Sequence, residues 1–111
     1  MSEHQILAVQ KRPGKPAVLA PITNSLTAFQ KAVGGYIEVV TVSQDLCIIC
    51  NETGRIDGLP YNTNICGFDF YGPILAVGVE DDGFVSVPGR MTGFIRECME
   101  AKGGCRHGDE Q

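Results

Sequence analysis

A chain of 111 residues has room for one hydrophobic core, and 43% apolar with 20% charged residues is a composition that folds. With no Trp and 7% aromatics it is poorly suited to stacking on nucleic-acid bases. Its net charge of -4 conceals a split: residues 1–35 carry four basic side chains against one acidic, residues 36–85 carry Arg55 against eight carboxylates, and residues 86–111 carry four of each. An acidic middle repels phosphates, so no nucleic acid is expected as a partner. No apolar run approaches the roughly 20 residues that span a bilayer, and the Met1-Ser2-Glu3-His4 start lacks a signal-peptide layout. No membrane partner is therefore expected, the expected location is the cytoplasm, and the five cysteines are expected as reduced thiols.

Along the chain, residues 5–10 form a short apolar run ended by the turn signal Lys11-Arg12-Pro13-Gly14, and residues 17–22 are its hairpin partner. Pro16 and Pro21 place that partner at a sheet edge, and Lys11, Arg12 and Lys15 are expected in a solvated loop. Asn24-Ser25 offers N-cap chemistry. Leu26, Phe29 and Val33 share one face of a helix predicted over 25–33 and stopped by Gly34-Gly35. Residues 36–42 and 46–50 read as strands joined by Ser43-Gln44-Asp45, and the second is apolar on both faces, as an interior strand must be. Glu38 lies either on the solvent face or beside the polar segment that follows.

That segment, 51–64, separates two of the most apolar stretches and is the candidate working surface. Asn51-Glu52-Thr53-Gly54 reads as a turn and residues 55–60 as a looped connection; the amides of Asn62 and Asn64 either staple loop backbone or face a ligand. The candidate ligand- or partner-binding residues are Asn51, Glu52, Arg55, Asp57, Tyr61, Asn62 and Asn64, with Asp81 and Asp82 as candidate neighbours. Residues 66–72 read as irregular. Strands over 73–79 and 84–87 flank the acidic turn 80–83. After Pro88 a helix over 90–101 carries Met91, Phe94, Ile95 and Cys98 on one face, is weakened by Gly89 and Gly93, and ends at Gly103-Gly104. Residues 1–104 are expected as a single domain and 105–111 as a flexible polar tail.

Chemistry is mostly excluded by spacing. Cys47 and Cys50 match a metal or redox pattern as text, yet on a strand residues three apart face opposite sides of the sheet. Cys98, Cys105 and His107 are candidate zinc ligands by composition alone, so no metal and no cofactor is expected. His4 and His107 stand near the two ends of the chain, away from any candidate nucleophile, and Val33-Gly34-Gly35-Tyr36 lacks the Lys-Ser/Thr of a phosphate-binding loop.

Four motifs stand in register: Gly34-Gly35-Tyr36-Ile37-Glu38-Val39-Val40; Cys50-Asn51-Glu52-Thr53-Gly54 with Gly58-Leu59-Pro60-Tyr61-Asn62; Gly72-Pro73-Ile74-Leu75-Ala76-Val77-Gly78; and Asp81-Asp82-Gly83-Phe84-Val85-Ser86. Together they resemble domain-of-unknown-function family 3846, from about Gln5 to Met99. Val87-Pro88-Gly89 departs from the Thr or Asp that often opens the last helix in that family. The resemblance implies a small accessory protein of bacteriophages and mobile elements, acting in the host cytoplasm, and supplies no catalytic residue.

The expected fold is α+β: a single domain with a mainly antiparallel sheet of about five or six strands and two helices packed on it. The expected function is a non-enzymatic binding protein whose partner is a small polar ligand or a host protein. By the resemblance, it inhibits a host defence system by sequestering a small signalling molecule or occluding a protein. Alternatives are a small hydrolytic enzyme acting on a nucleotide-like molecule through Glu52 or Asp57, and a structural homo-oligomeric phage component; separately, the 17–22 edge offers a route to a dimer.

Overall fold

A computed structural model describes residues 4–81 and 83–100 of the chain. The expected tail at 105–111, the Gly103-Gly104 stop and Asp82 lie outside the described residues.

The first hairpin joins β1 (Gln5–Lys11) to β2 (Val18–Thr23), with Leu7 opposite Pro21. The helix α1 (Leu26–Val33) follows: the Ser25 hydroxyl accepts the Ala28 N–H at 3.1 Å, and Gly34, at φ 83°, closes the far end by donating to the Gln30 carbonyl. A left-handed residue there is one that glycine adopts without strain. Phe29 and Val33 are buried, whereas Leu26 of the same predicted stripe is 57% exposed.

β3 (Ile37–Ser43) and β4 (Leu46–Asn51) form the second hairpin. β5 (Tyr61–Ile65) and β6 (Phe68–Tyr71) form a separate two-stranded sheet. β7 (Ile74–Glu80) turns into the short β8 (Gly83–Val85), and α2 (Gly89–Glu100) closes the described chain. The main sheet runs β2-β1-β7-β4-β3, antiparallel throughout, with β8 extending the β1 side of β7. This is the expected antiparallel α+β domain with two helices. None of its helices is long and apolar enough to cross a membrane among the described residues.

Every residue of β4 is buried, which follows from its interior place between β3 and β7 and from cover on both faces. Leu46, Ile48 and Cys50 point to the side where Ile95, Cys98 and Met99 of α2 pack with Ile65 and Phe70. Cys47 and Ile49 point the other way, to Phe29 and Val33 of α1. The helices therefore cover opposite faces, giving three layers with the sheet in the middle. Burial of one such aliphatic side chain contributes about 1.5–3 kcal/mol.

Three local expectations are corrected. Residues 61–64 and 66–72, read as loop and irregular chain, contain the β5–β6 hairpin. Its two-residue turn is Cys66-Gly67, both at positive φ (53° and 88°), the geometry that matches strand twist. In α2 the buried face is Ile95, Cys98 and Met99, where the helix packs against β1 and β5, and Phe94 is 44% exposed. Lys11, expected in a solvated loop, instead ends β1 and is 7% exposed, while Cys47, Cys50 and Cys66 are free thiols.

Candidate functional site

β4 ends at Asn51, whose side chain is 8% exposed and works in two directions. Its Nδ2 donates to the Val33 carbonyl at 3.1 Å, and its Oδ1 accepts the Thr53 N–H at 2.9 Å. The start of the polar turn is thereby tied to the end of α1, and groups that no strand ladder reaches are satisfied. The turn continues through backbone bonds from Asp57 to Thr53 (2.8 Å) and from Leu59 to Gly54 (2.9 Å), while the Thr53 hydroxyl donates to the Asp57 carboxylate at 2.7 Å. Gly54 sits where a Cβ would stand 2.7 Å from the Tyr71 carbonyl oxygen, so only glycine lets the turn seat against β6.

Between this turn, β3 and β6 lies a cleft of about 190 Å³. Glu38 and Val40 form one wall, Cys50 the floor, Glu52 and Arg55 the turn side, and Phe68 to Tyr71 the opposite wall. Glu38 is both exposed to solvent and beside the polar segment, so its two sequence alternatives hold together. The Arg55 guanidinium lies 5.8 Å from the Tyr71 ring centroid, within cation–π range, and Tyr71 packs edge-on against Tyr61 at 5.3 Å. Asp69 accepts from Asn64 Nδ2 at 2.9 Å and from the Tyr61 hydroxyl at 3.0 Å. The Asn64 and Tyr61 hydrogen bonds, aided by Arg55, hold the Asp69 carboxyl below its ordinary range. Desolvation and the bond to Asp69 push the Tyr61 phenol up. The cleft presents Glu38, Glu52 and Asp69 against one cation, and large apolar groups stand exposed around it: Tyr36 at 74%, Ile56 at 85% and Phe68 at 52%.

The candidate residues divide by role. Glu52 and Arg55 line the cleft, and Tyr61 and Asn64 reach it through Asp69. Asp57 is exposed on the turn. Asn62 is a staple: its Nδ2 donates to the Lys11 and Gly72 carbonyls at 2.9 and 2.8 Å, and its Oδ1 accepts from Lys11 Nζ at 2.9 Å. Asp81 lies in the β7–β8 turn at the opposite end of β4, because Leu46 pairs with Gly78 while Ile49 pairs with Leu75. Antiparallel pairing thus separates the 80–83 turn from the 51–58 turn by most of a strand, roughly 17 Å at 3.4 Å per residue. Asp69, Phe68 and Tyr71 were not among the candidates. The signal for them is the Cys66-Gly67 turn between Ile65 and Phe68, which turns chain that looks irregular into the far wall of the cleft.

Nucleophilic chemistry has little support in the two buried thiols. Burial pushes Cys47 up to about 11, and burial with Glu38 pushes Cys50 up to about 11, so both are protonated near neutrality. They lie in the cores on opposite sides of the sheet, as the strand argument requires. Among the described residues no three His, Cys, Asp or Glu side chains are grouped as a metal site.

The chain matches no curated protein and no solved structure. A family model does match, over residues 6–99, which spans the acidic cleft, the polar turn and all but the last residue of α2; the chain belongs to the family described as Domain of unknown function (DUF3846).

Proposed function

We propose that the protein is a non-enzymatic binding domain that docks onto a partner protein through a basic segment of that partner. The observation that carries this reading is the cleft between β3, β6 and the 51–58 turn, where Glu38, Glu52 and Asp69 face one engaged cation. Complementary charge orients and accelerates docking, and the flanking Tyr36, Ile56 and Phe68 supply the apolar contact from which affinity is built. The carboxylates are held on strands and a bonded turn, so little ordering accompanies binding. The resemblance to phage and mobile-element accessory proteins supports a host protein in the bacterial cytoplasm as target and interference with a defence system as outcome.

The test is capture of bacterial proteins on the immobilised chain, followed by titration of the purified partner. Ile56→Asp is expected to weaken that complex about thirtyfold and Glu52→Lys about tenfold, with Asp81→Lys near wild type. Equal losses in Asp81→Lys and Glu52→Lys, or steady turnover of a nucleotide that Glu52→Gln abolishes, overturn the reading. A second arrangement is favoured by Val18 and Leu19, 48% and 43% exposed on the β2 edge: self-association through that edge, visible as a dimer in native mass spectrometry.

A further inference from the structure

The basic turn after β1 builds a second cleft, of about 350 Å³, bounded by the end of β1, the 12–16 turn, the start of β7 and Ala32 near the end of α1. That volume falls within the range that holds small molecules, about 300–1,000 Å³. Three basic residues line it, and they are not equivalent. Lys11 is 7% exposed, and its Nζ is engaged by Asn62 Oδ1 and by the Arg12 carbonyl. Arg12 and Lys15 are exposed on the rim, and among the described residues neither side chain is in an ion pair or hydrogen bond. Among the described residues no carboxylate lines the cleft; that of Glu100 stands behind it, accepting the Ala17 N–H at 2.7 Å on the side of Lys11.

The negative end of α1 does not cancel this charge. Its Gln30 carbonyl takes the N–H groups of both Gly34 and Gly35, its Val33 carbonyl takes Asn51 Nδ2, and Lys31 sits in the last turn. The rest of the wall is largely apolar, with Val18, Ala32, Pro73 and Leu75 among its residues. Two unsatisfied cations at the mouth of an apolar recess suit an amphipathic anion. A guanidinium beside an ammonium suits a phosphate in particular, because the fork binds two oxygens while the point charge meets the third.

We propose that this cleft binds a small organic phosphate of nucleoside-monophosphate size, its phosphate held by Arg12 and Lys15 and its apolar body seated on Val18, Ala32 and Leu75. This site goes beyond the protein-docking surface and does not depend on it: the two clefts share no lining residue.

The experiment is titration of the ¹⁵N-labelled full chain with AMP and, separately, with adenosine, which lacks the phosphate. AMP is expected to shift amides of residues 10–18 and 73–75, and added salt to weaken it. Lys15→Gln and Arg12→Gln are each expected to weaken AMP about tenfold, adenosine to bind at least about tenfold more weakly than AMP, and Arg55→Ala to leave AMP binding within about twofold. Both glutamine variants alter exposed side chains, so their amide spectra report folding directly, and the salt titration on the unmodified chain tests the same charges without substitution. No shift with AMP up to about 10 mM, shifts centred on residues 51–58, or adenosine binding as tightly as AMP overturns the proposal.

Discussion

The two clefts open at the same end of the sheet, where β1 and β4 finish and β3 and β7 begin, yet they lie on opposite faces and carry opposite charge. One is acidic, with carboxylates from β3, the 51–58 turn and β6; the other is rimmed by Arg12 and Lys15. A net charge of -4 describes neither. The layer of Ile48, Ile49, Leu75 and Ala76 between them excludes water, so each surface is free to serve a partner of its own charge preference. The difference in support is equally informative. The acidic wall is braced by Asn51, Asn64, Tyr61 and Thr53, whereas the cations of the basic rim are unspent.

The largest expected effect breaks both faces together through the thiols of β4, one on each side. Each stands at about 11 in the folded protein against an ordinary 9.0. Between those values the unfolded chain has already released protons that the folded chain retains. The contribution of the two thiols is therefore fully present below pH 9 and is lost as the pH rises through 11, about 2–4 kcal/mol for the pair after allowance for solvent screening. Urea denaturation of the reduced protein across pH 8–11 checks this, and Cys47→Ala or Cys50→Ala should each remove about half of the alkaline slope. An unchanged slope in both variants would assign the loss to other groups.

Next in size is Asn62→Ala. It removes three hydrogen bonds and leaves Lys11 Nζ and two carbonyls without that partner, so a loss of about 3 kcal/mol is expected by chemical denaturation. Because Asn62 joins the end of β1 to β5, the amides around both clefts should move. Asn51→Ala, with two side-chain bonds of the same kind, should cost about 2 kcal/mol and disturb residues 52–58 first. Smallest in stability, and sharpest for the comparison, is the exposed pair Glu52→Lys and Lys15→Glu. Each should leave the melting temperature within about 2 °C, the former affecting only the basic partner and the latter only AMP. A crossed effect would mean that the faces communicate.

Much of the architecture was legible along the chain because its signals are local. Ser25 and Gly34 bracket α1 by capping chemistry, alternating β-branched residues mark β3, and a run apolar at every position could only be an interior strand such as β4. Pro21 marked β2 as an edge for the same kind of reason, a missing N–H. The site was legible in part: Glu52 and Arg55 line the acidic cleft, while Asn51 and Asn62, which look the same in sequence as ligand-reading amides, spend their bonds on backbone and, for Asn62, on the Lys11 ammonium.

What only tertiary structure decided depends on pairing between distant segments. Placement of α1 and α2 on opposite faces, separation of the 80–83 turn from the 51–58 turn, and the arrival of Asp69 and Tyr71 opposite Glu38 all follow from antiparallel register across β7, β4 and β3 and from the short β5–β6 hairpin. The same holds for the basic turn. Lys11, Arg12 and Lys15 are only a charged loop until Ala32 and Leu75, distant in sequence, close the recess behind them. Periodicity and capping report which face of an element is apolar, whereas register, which sets what that face meets, is an energy shared between strands that no single stretch of chain contains.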